Sequence, residues 1–153
     1  MPTPAQNTQI RNATTGFLVA RAAAALPSTT IGTIFNITGG RVLIKSLAGL
    51  VVTLLSGTNS TTVGLTPTAS GGASAPAALS SAGIIPVTVG SPVVSKLDGG
   101  ALIVAAPGSV IAPTPWLAVA GAVTITTAST VTGTVSWELI YVAYDAGAAV
   151  VAA

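Results

Sequence analysis

The chain has no cysteine and no histidine, and among its 153 residues only three are acidic and five basic. Without cysteine there is neither a disulfide framework nor a thiol nucleophile. Without histidine the chain lacks the side chain best suited to moving protons near neutral pH, which is also the commonest metal ligand. The acids are Asp98, Glu138 and Asp145. Glu138 and Asp145 stand an odd number of positions apart, so a continuous strand sends them to opposite faces. There they cannot flank one bond as an acid and base pair. A metal would have to rely mostly on backbone oxygens. The expectation is a non-enzymatic protein with no catalytic residues, no metal and no cofactor.

Charge is scarce in pattern as well as in number. Arg11, Arg21, Arg41, Lys45 and Lys96 are scattered, the net charge is +2, and aromatics make up 4% of the chain. A nucleic-acid footprint needs a basic stripe, usually with interleaved aromatics, so no nucleic-acid partner is expected. Long hydrophobic runs are also missing despite a mean hydropathy of +0.83. The run Leu47 to Leu55 ends at Ser56, Gly57 and Thr58, far short of the roughly 20 apolar residues that a spanning helix needs. The stretch Ala101 to Ile125 is broken by Pro107, Pro113 and Pro115. No membrane span is expected. Phe17-Leu18-Val19-Ala20 resembles a secretion-signal core, but Arg21 interrupts it with a charge that such a core does not carry.

What the chain does have is Thr, Val and Ile in abundance, punctuated by 17 Gly and 10 Pro. That is the composition of short strands joined by turns, and the length suits one domain. The reading is all-β: a single-domain antiparallel β-sandwich or barrel, with an extended, irregular N-terminal arm over residues 1–28 and the β-domain over 29–153. Within the arm, Ala22 to Leu26 has the make-up of a helical turn too short to stand alone. Ile31 to Thr38, the turn Gly39-Gly40 and Arg41 to Lys45 read as a hairpin. Further strands are expected at Leu50 to Ser56, Thr61 to Pro67, Ile84 to Val89, Val93 to Lys96 and Ala101 to Ala105, with the Ala/Ser/Gly-rich Thr68 to Ala82 as a long loop.

The clearest periodicity lies downstream. From Leu117 to Thr126, large residues (Leu117, Val119, Val123, Ile125) alternate with small or polar ones, as in a half-buried strand. A last strand, about Val131 to Tyr144, is expected to pair with it through a turn at Ala128-Ser129. One of its faces carries Val131, Val135, Trp137, Leu139 and Tyr141. The other begins as Thr132, Thr134, Ser136 and Glu138, then turns apolar at Ile140, Val142 and Tyr144. A solvated sheet face stays polar, so the switch requires a cover, either a second sheet or a neighbouring subunit. Ile140, Val142 and Tyr144 are therefore the candidate oligomer interface. The full strand exceeds the usual length, and a bulge near Gly133 would shorten it.

Two blocks carry a family resemblance. Gly32-Thr33-Ile34-Phe35-Asn36-Ile37-Thr38-Gly39-Gly40-Arg41-Val42, together with Gly133-Thr134-Val135-Ser136-Trp137-Glu138-Leu139-Ile140-Tyr141-Val142 and Asp145 to Ala148, resembles small virion structural proteins of tailed bacteriophages, in particular head decoration (cement) proteins. The resemblance implies a compact β-domain, often a homotrimer, on the outer capsid surface of the virion. There it would bind the major capsid protein and hold neighbouring capsomers together. Apolar Phe17 and Leu18 with the cations Arg11 and Arg21 become the candidate capsid-contact residues of the arm. A tail, fibre or other surface adhesive protein that binds a host glycan is the alternative, for which Trp116 is the candidate stacking ring; a pore-like β-assembly ranks behind both. Asn12, Asn36 and Asn59 match glycosylation sequons, which a Thr-rich chain produces freely.

Overall fold

The computed structural model describes residues 12, 14–56, 61–68, 92–94, 103–104, 115–127 and 130–153. Those residues form ten strands: β1 (Phe17–Ala25), β2 (Ile31–Thr38), β3 (Val42–Ser56), β4 (Thr61–Pro67), β5 (Pro92–Val94), β6 (Ile103–Val104), β7 (Trp116–Ala118), β8 (Gly121–Thr127), β9 (Thr132–Ala143) and β10 (Ala149–Ala152). One sheet has the order β1-β9-β3-β5-β6, with β7 also paired to β3; the other has the order β10-β2-β8-β4. All pairings are antiparallel. The all-β sandwich expected from composition is what the chain forms. No helix among the described residues is long and apolar enough to cross a membrane.

The core lies between the sheets. From the first sheet it takes Val42, Ile44, Leu47, Val51 and Leu55 of β3 with Val135, Trp137, Leu139 and Tyr141 of β9. From the second it takes Ile34, Phe35 and Ile37 of β2, Val63 and Leu65 of β4, Val123 and Ile125 of β8, and Val150 of β10. Each fully buried side chain of this kind contributes roughly 1.5–3 kcal/mol relative to exposure. Trp137 is the largest, and it fits because its partner across β3 is Gly49. A Cβ there would stand 2.9 Å from the indole.

Several expectations about connectivity are corrected. Gly39-Gly40 does not close a hairpin: β2 and β3 belong to different sheets, and the turn carries the chain across the sandwich. A diglycine between two strands is compatible with either geometry, and only long-range pairing chooses. The stretch from Leu117 is likewise two strands, β7 in the first sheet and β8 in the second, so Leu117 and Val119 are exposed while Val123 and Ile125 are buried. For the same reason β8 and β9 are not partners. The irregular arm expected over residues 1–28 is corrected where it is described. Phe17–Ala25 is an edge strand paired along β9, and Ala22 to Ala25 is extended rather than helical. The backbone ladder along β9 outweighs the helix preference of a short Ala run.

The face of β9 that carries Val131, Val135, Trp137, Leu139 and Tyr141 is buried as its alternation demands. Its register against β3 shifts between Thr53 and Ser56, opposite Gly133, which takes φ +103°. The expected loop beyond Thr68, the strand at Ile84 to Val89 and the turn at Ala128-Ser129 lie outside the described residues, as do most of the strands placed at 93–105.

Candidate interaction surface

Because β9 buries its odd-numbered residues, its even-numbered ones face away from the core, and the register decides their neighbours. Ile140 lies between Leu18 of β1 and Ser46 of β3. In the next row Leu43 of β3 lies between Val142 of β9 and Leu117 of β7. Leu18, Leu43, Leu117, Ile140 and Val142 thus share one end of the first sheet's outer face. Leu18 is 60% exposed and Leu117 47%, whereas Leu43, Ile140 and Val142 are half-buried. Further along the same face come Ala20, Glu138 and Ala48, then Ser136 and Leu50. There Ala48, Gly49, Leu50, Ser136 and Glu138 line a depression of about 240 Å³. The second sheet's outer face is different: Thr33, Asn36, Thr66 and Thr126 dominate it, with Ile31 and Val151 exposed near its margins.

Part of the cover over Ile140 comes from the chain itself. The Gly16 N–H donates to the Asn12 carbonyl at 2.9 Å, closing a single turn ahead of β1. Lys45, at a register shift in β3, donates from Nζ to the Thr14 carbonyl at 2.9 Å. Gly16 lies so close to Ile140 that a Cβ on it would meet the isoleucine Cγ2 at 2.9 Å. The apolar switch along β9 is therefore answered partly by an intrachain contact.

Tyr144, expected beside Ile140 and Val142, follows the end of β9 and belongs to a separate corner. The Asp145 carboxylate accepts from Arg41 three times: backbone N–H to Oδ2 at 2.8 Å, Nε to Oδ2 at 2.9 Å and Nη2 to Oδ1 at 2.7 Å. The hydrogen bonds from the Arg41 guanidinium, then that from its backbone, hold the Asp145 carboxyl down at about 2. The same pairing raises the guanidinium from its ordinary value. Arg41 also lies over the Tyr144 ring, 4.7 Å from its centroid, and the ring is 62% exposed. Gly39 backs directly onto the Gly147 carbonyl. The two blocks of sequence behind the phage resemblance thus meet at one corner of the sandwich.

The expected capsid-contact residues divide. Arg11 lies outside the described residues. Phe17 is on β1 with its ring 5.5 Å from that of Tyr141. Arg21, far from reaching outward on an arm, is half-buried and donates from Nε to the Ala153 backbone oxygen at 3.1 Å, tying the edge of one sheet to the edge of the other. It also borders a cavity of about 130 Å³ lined in part by Leu26, Ile34, Ile125 and Trp137. Leu18 alone projects from the outer face, and it is a register partner of Ile140, so one residue expected in the arm and one expected in the interface occupy a single surface. Trp116 packs against the core, with Nε1 buried and unpartnered among the described residues; it is not a free-standing ring.

Leu43, Leu117 and Lys45 were not signalled by the sequence, because their place on this surface depends on pairing across the whole chain. The one available signal was the missing charge: the outer faces of both sheets carry few ionic groups. No protein-family model matches the chain, and neither a curated protein nor a solved structure does.

Proposed function

We propose that this chain is a non-enzymatic virion structural protein that self-associates, as a homotrimer, and binds the outside of a phage capsid, bridging neighbouring capsomers through the major capsid protein. One observation carries the reading: the first sheet gathers Leu18, Leu43, Leu117, Ile140 and Val142 at one end of its outer face, while the second sheet's outer face is mostly threonine and asparagine with Ile31 and Val151 apart at its margins. Clustered exposed apolar side chains on one face of a small domain mark an interaction surface. Burial at about 25 cal/mol per Å² of apolar area, repeated over several subunits, gives strong attachment without any charged anchor. The capsid as partner rests on the resemblance of the two blocks that converge at the Arg41–Asp145 corner.

The test is the solution mass by light scattering, followed by co-sedimentation with empty capsid shells. A mass of three 14.7 kDa chains that pellets with shells supports the proposal; a single-chain mass that stays in the supernatant refutes it. The arm's role is tested by deleting residues 1–11, since a deletion through residue 28 would also remove β1. Attachment at full occupancy without residues 1–11 would remove Arg11 from the docking surface.

A further inference from the structure

We propose that β1 is an exchangeable strand, and that subunits of this protein associate by placing β1 of one copy against β9 of another. The inference deepens the self-association reading above and is independent of the capsid. Two observations carry it. First, among the described strands β1 comes first, sits at the edge of its sheet and pairs with β9 alone. Its sequence, FLVARAAAA, is mostly alanine. The ladder to β9 holds it more than bulky side chains do, and a second copy's β9 edge offers an identical ladder. Exchange of an edge element keeps every such contact and changes only the hinge.

Second, the hinge is short and strained. Residues 26–30 link β1 to β2 across the sandwich, and within them Thr29 holds φ +54°. For a β-branched residue that conformation is an outlier, and a side chain in the left-handed region is disfavoured relative to glycine. Pro27 stiffens the same link. A short hinge under strain favours exchange, because opening it lets Thr29 return to an ordinary extended conformation. What opposes opening is local to one residue: Thr127 donates its hydroxyl to the Pro27 carbonyl and its N–H to the Thr30 carbonyl.

The absence of cysteine makes the test clean. Ala20 and Glu138 are exposed register partners across β1 and β9, so the double variant Ala20→Cys/Glu138→Cys places two thiols opposite each other. The variant is brought to oligomer-forming concentration, oxidised and run on a denaturing, non-reducing gel. Exchange gives covalently linked chains, whereas a closed strand gives an intrachain bond and a single-chain band. The second pair, Leu18→Cys/Ile140→Cys, reads the same register if the first folds poorly. Thr29→Gly, which removes the strain in the closed form, should weaken association about tenfold for each hinge that opens, one per subunit of the assembly. An intrachain bond within a species of oligomeric mass, or an unchanged association constant for Thr29→Gly, overturns the exchange and leaves self-association through the outer face standing. A single-chain mass at every concentration overturns both.

Discussion

Substituting Gly39 by alanine tests the corner where the two resemblance blocks meet. Gly39 takes φ +74°, and a Cβ built on it would stand 2.2 Å from the Gly147 carbonyl oxygen and 2.8 Å from the carbonyl carbon. Both atoms belong to backbone, so the overlap cannot be relieved by a rotamer change. The left-handed conformation costs an alanine about 1–2 kcal/mol, and forcing two packed backbones apart adds roughly 1–3 kcal/mol. A loss of about 3 kcal/mol, near the middle of that range, lowers Tm by roughly 6–12 °C in a domain of this size. Gly147→Ala is the matched control: Gly147 takes φ +82° but a Cβ on it meets nothing within 4 Å, so only the conformational cost of about 1–2 kcal/mol remains. Urea unfolding followed by tryptophan emission, which reports the buried Trp137, measures both, with the midpoint moving and the slope unchanged. Equal losses for the two variants would refute the close approach of Gly39 to Gly147.

The remaining predictions follow from other parts of the sandwich. The Asp145 carboxyl is depressed from 3.8 to about 2, so its pairing with Arg41 stabilises the fold fully above pH 4 and is lost as pH falls from there through 2; acid titration of stability should show that limb, and Asp145→Asn should flatten it. Gly49→Val pushes a side chain into the space of Trp137 and Val135, both within about 3 Å of its Cβ, and should cost about 1–3 kcal/mol with a red-shifted tryptophan emission. Val142→Asp should strip the protein from capsid shells in co-sedimentation while leaving the circular dichroism of the sheets intact, because a charge trapped in an apolar contact is costly; attachment at full occupancy would remove Val142 from the docking face.

The alternation of single strands was legible in the sequence, whereas their assignment to sheets was not. Val135, Trp137, Leu139 and Tyr141 are buried along one face of β9 as a period of two requires. Ile31–Thr38 and Thr61–Pro67 also fall where their composition placed them. Yet Gly39-Gly40 and the break before Gly121 look the same in sequence whether the chain folds back or crosses over. The outcome depends on β9 and β8, which arrive late in the chain. The site was half legible for the same reason. The apolar switch at Ile140 and Val142 marked a face in need of cover, but only the register brings Leu18, Leu43 and Leu117 to it. Arg21 illustrates the limit: a lone cation in an apolar run reads as an anchor for something external, and only the fold shows Ala153 within its reach.

The alternation of successive strands between the two sheets also has a consequence for how the protein is made. From β1 to β4 each strand enters the sheet opposite the one before, and the strands that join them, β9 between β1 and β3 and β8 between β2 and β4, come from the C-terminal third. A nascent chain that has emerged only as far as β4 therefore has neither of those partners to close on. Phe35, Ile37, Leu47 and Val51 remain in water until residues 121–143 have been synthesised. Pairings so distant in sequence close slowly, in the millisecond to second range, and unpaired apolar strands are prone to aggregate, so soluble yield in cells should rise when chaperones are co-expressed.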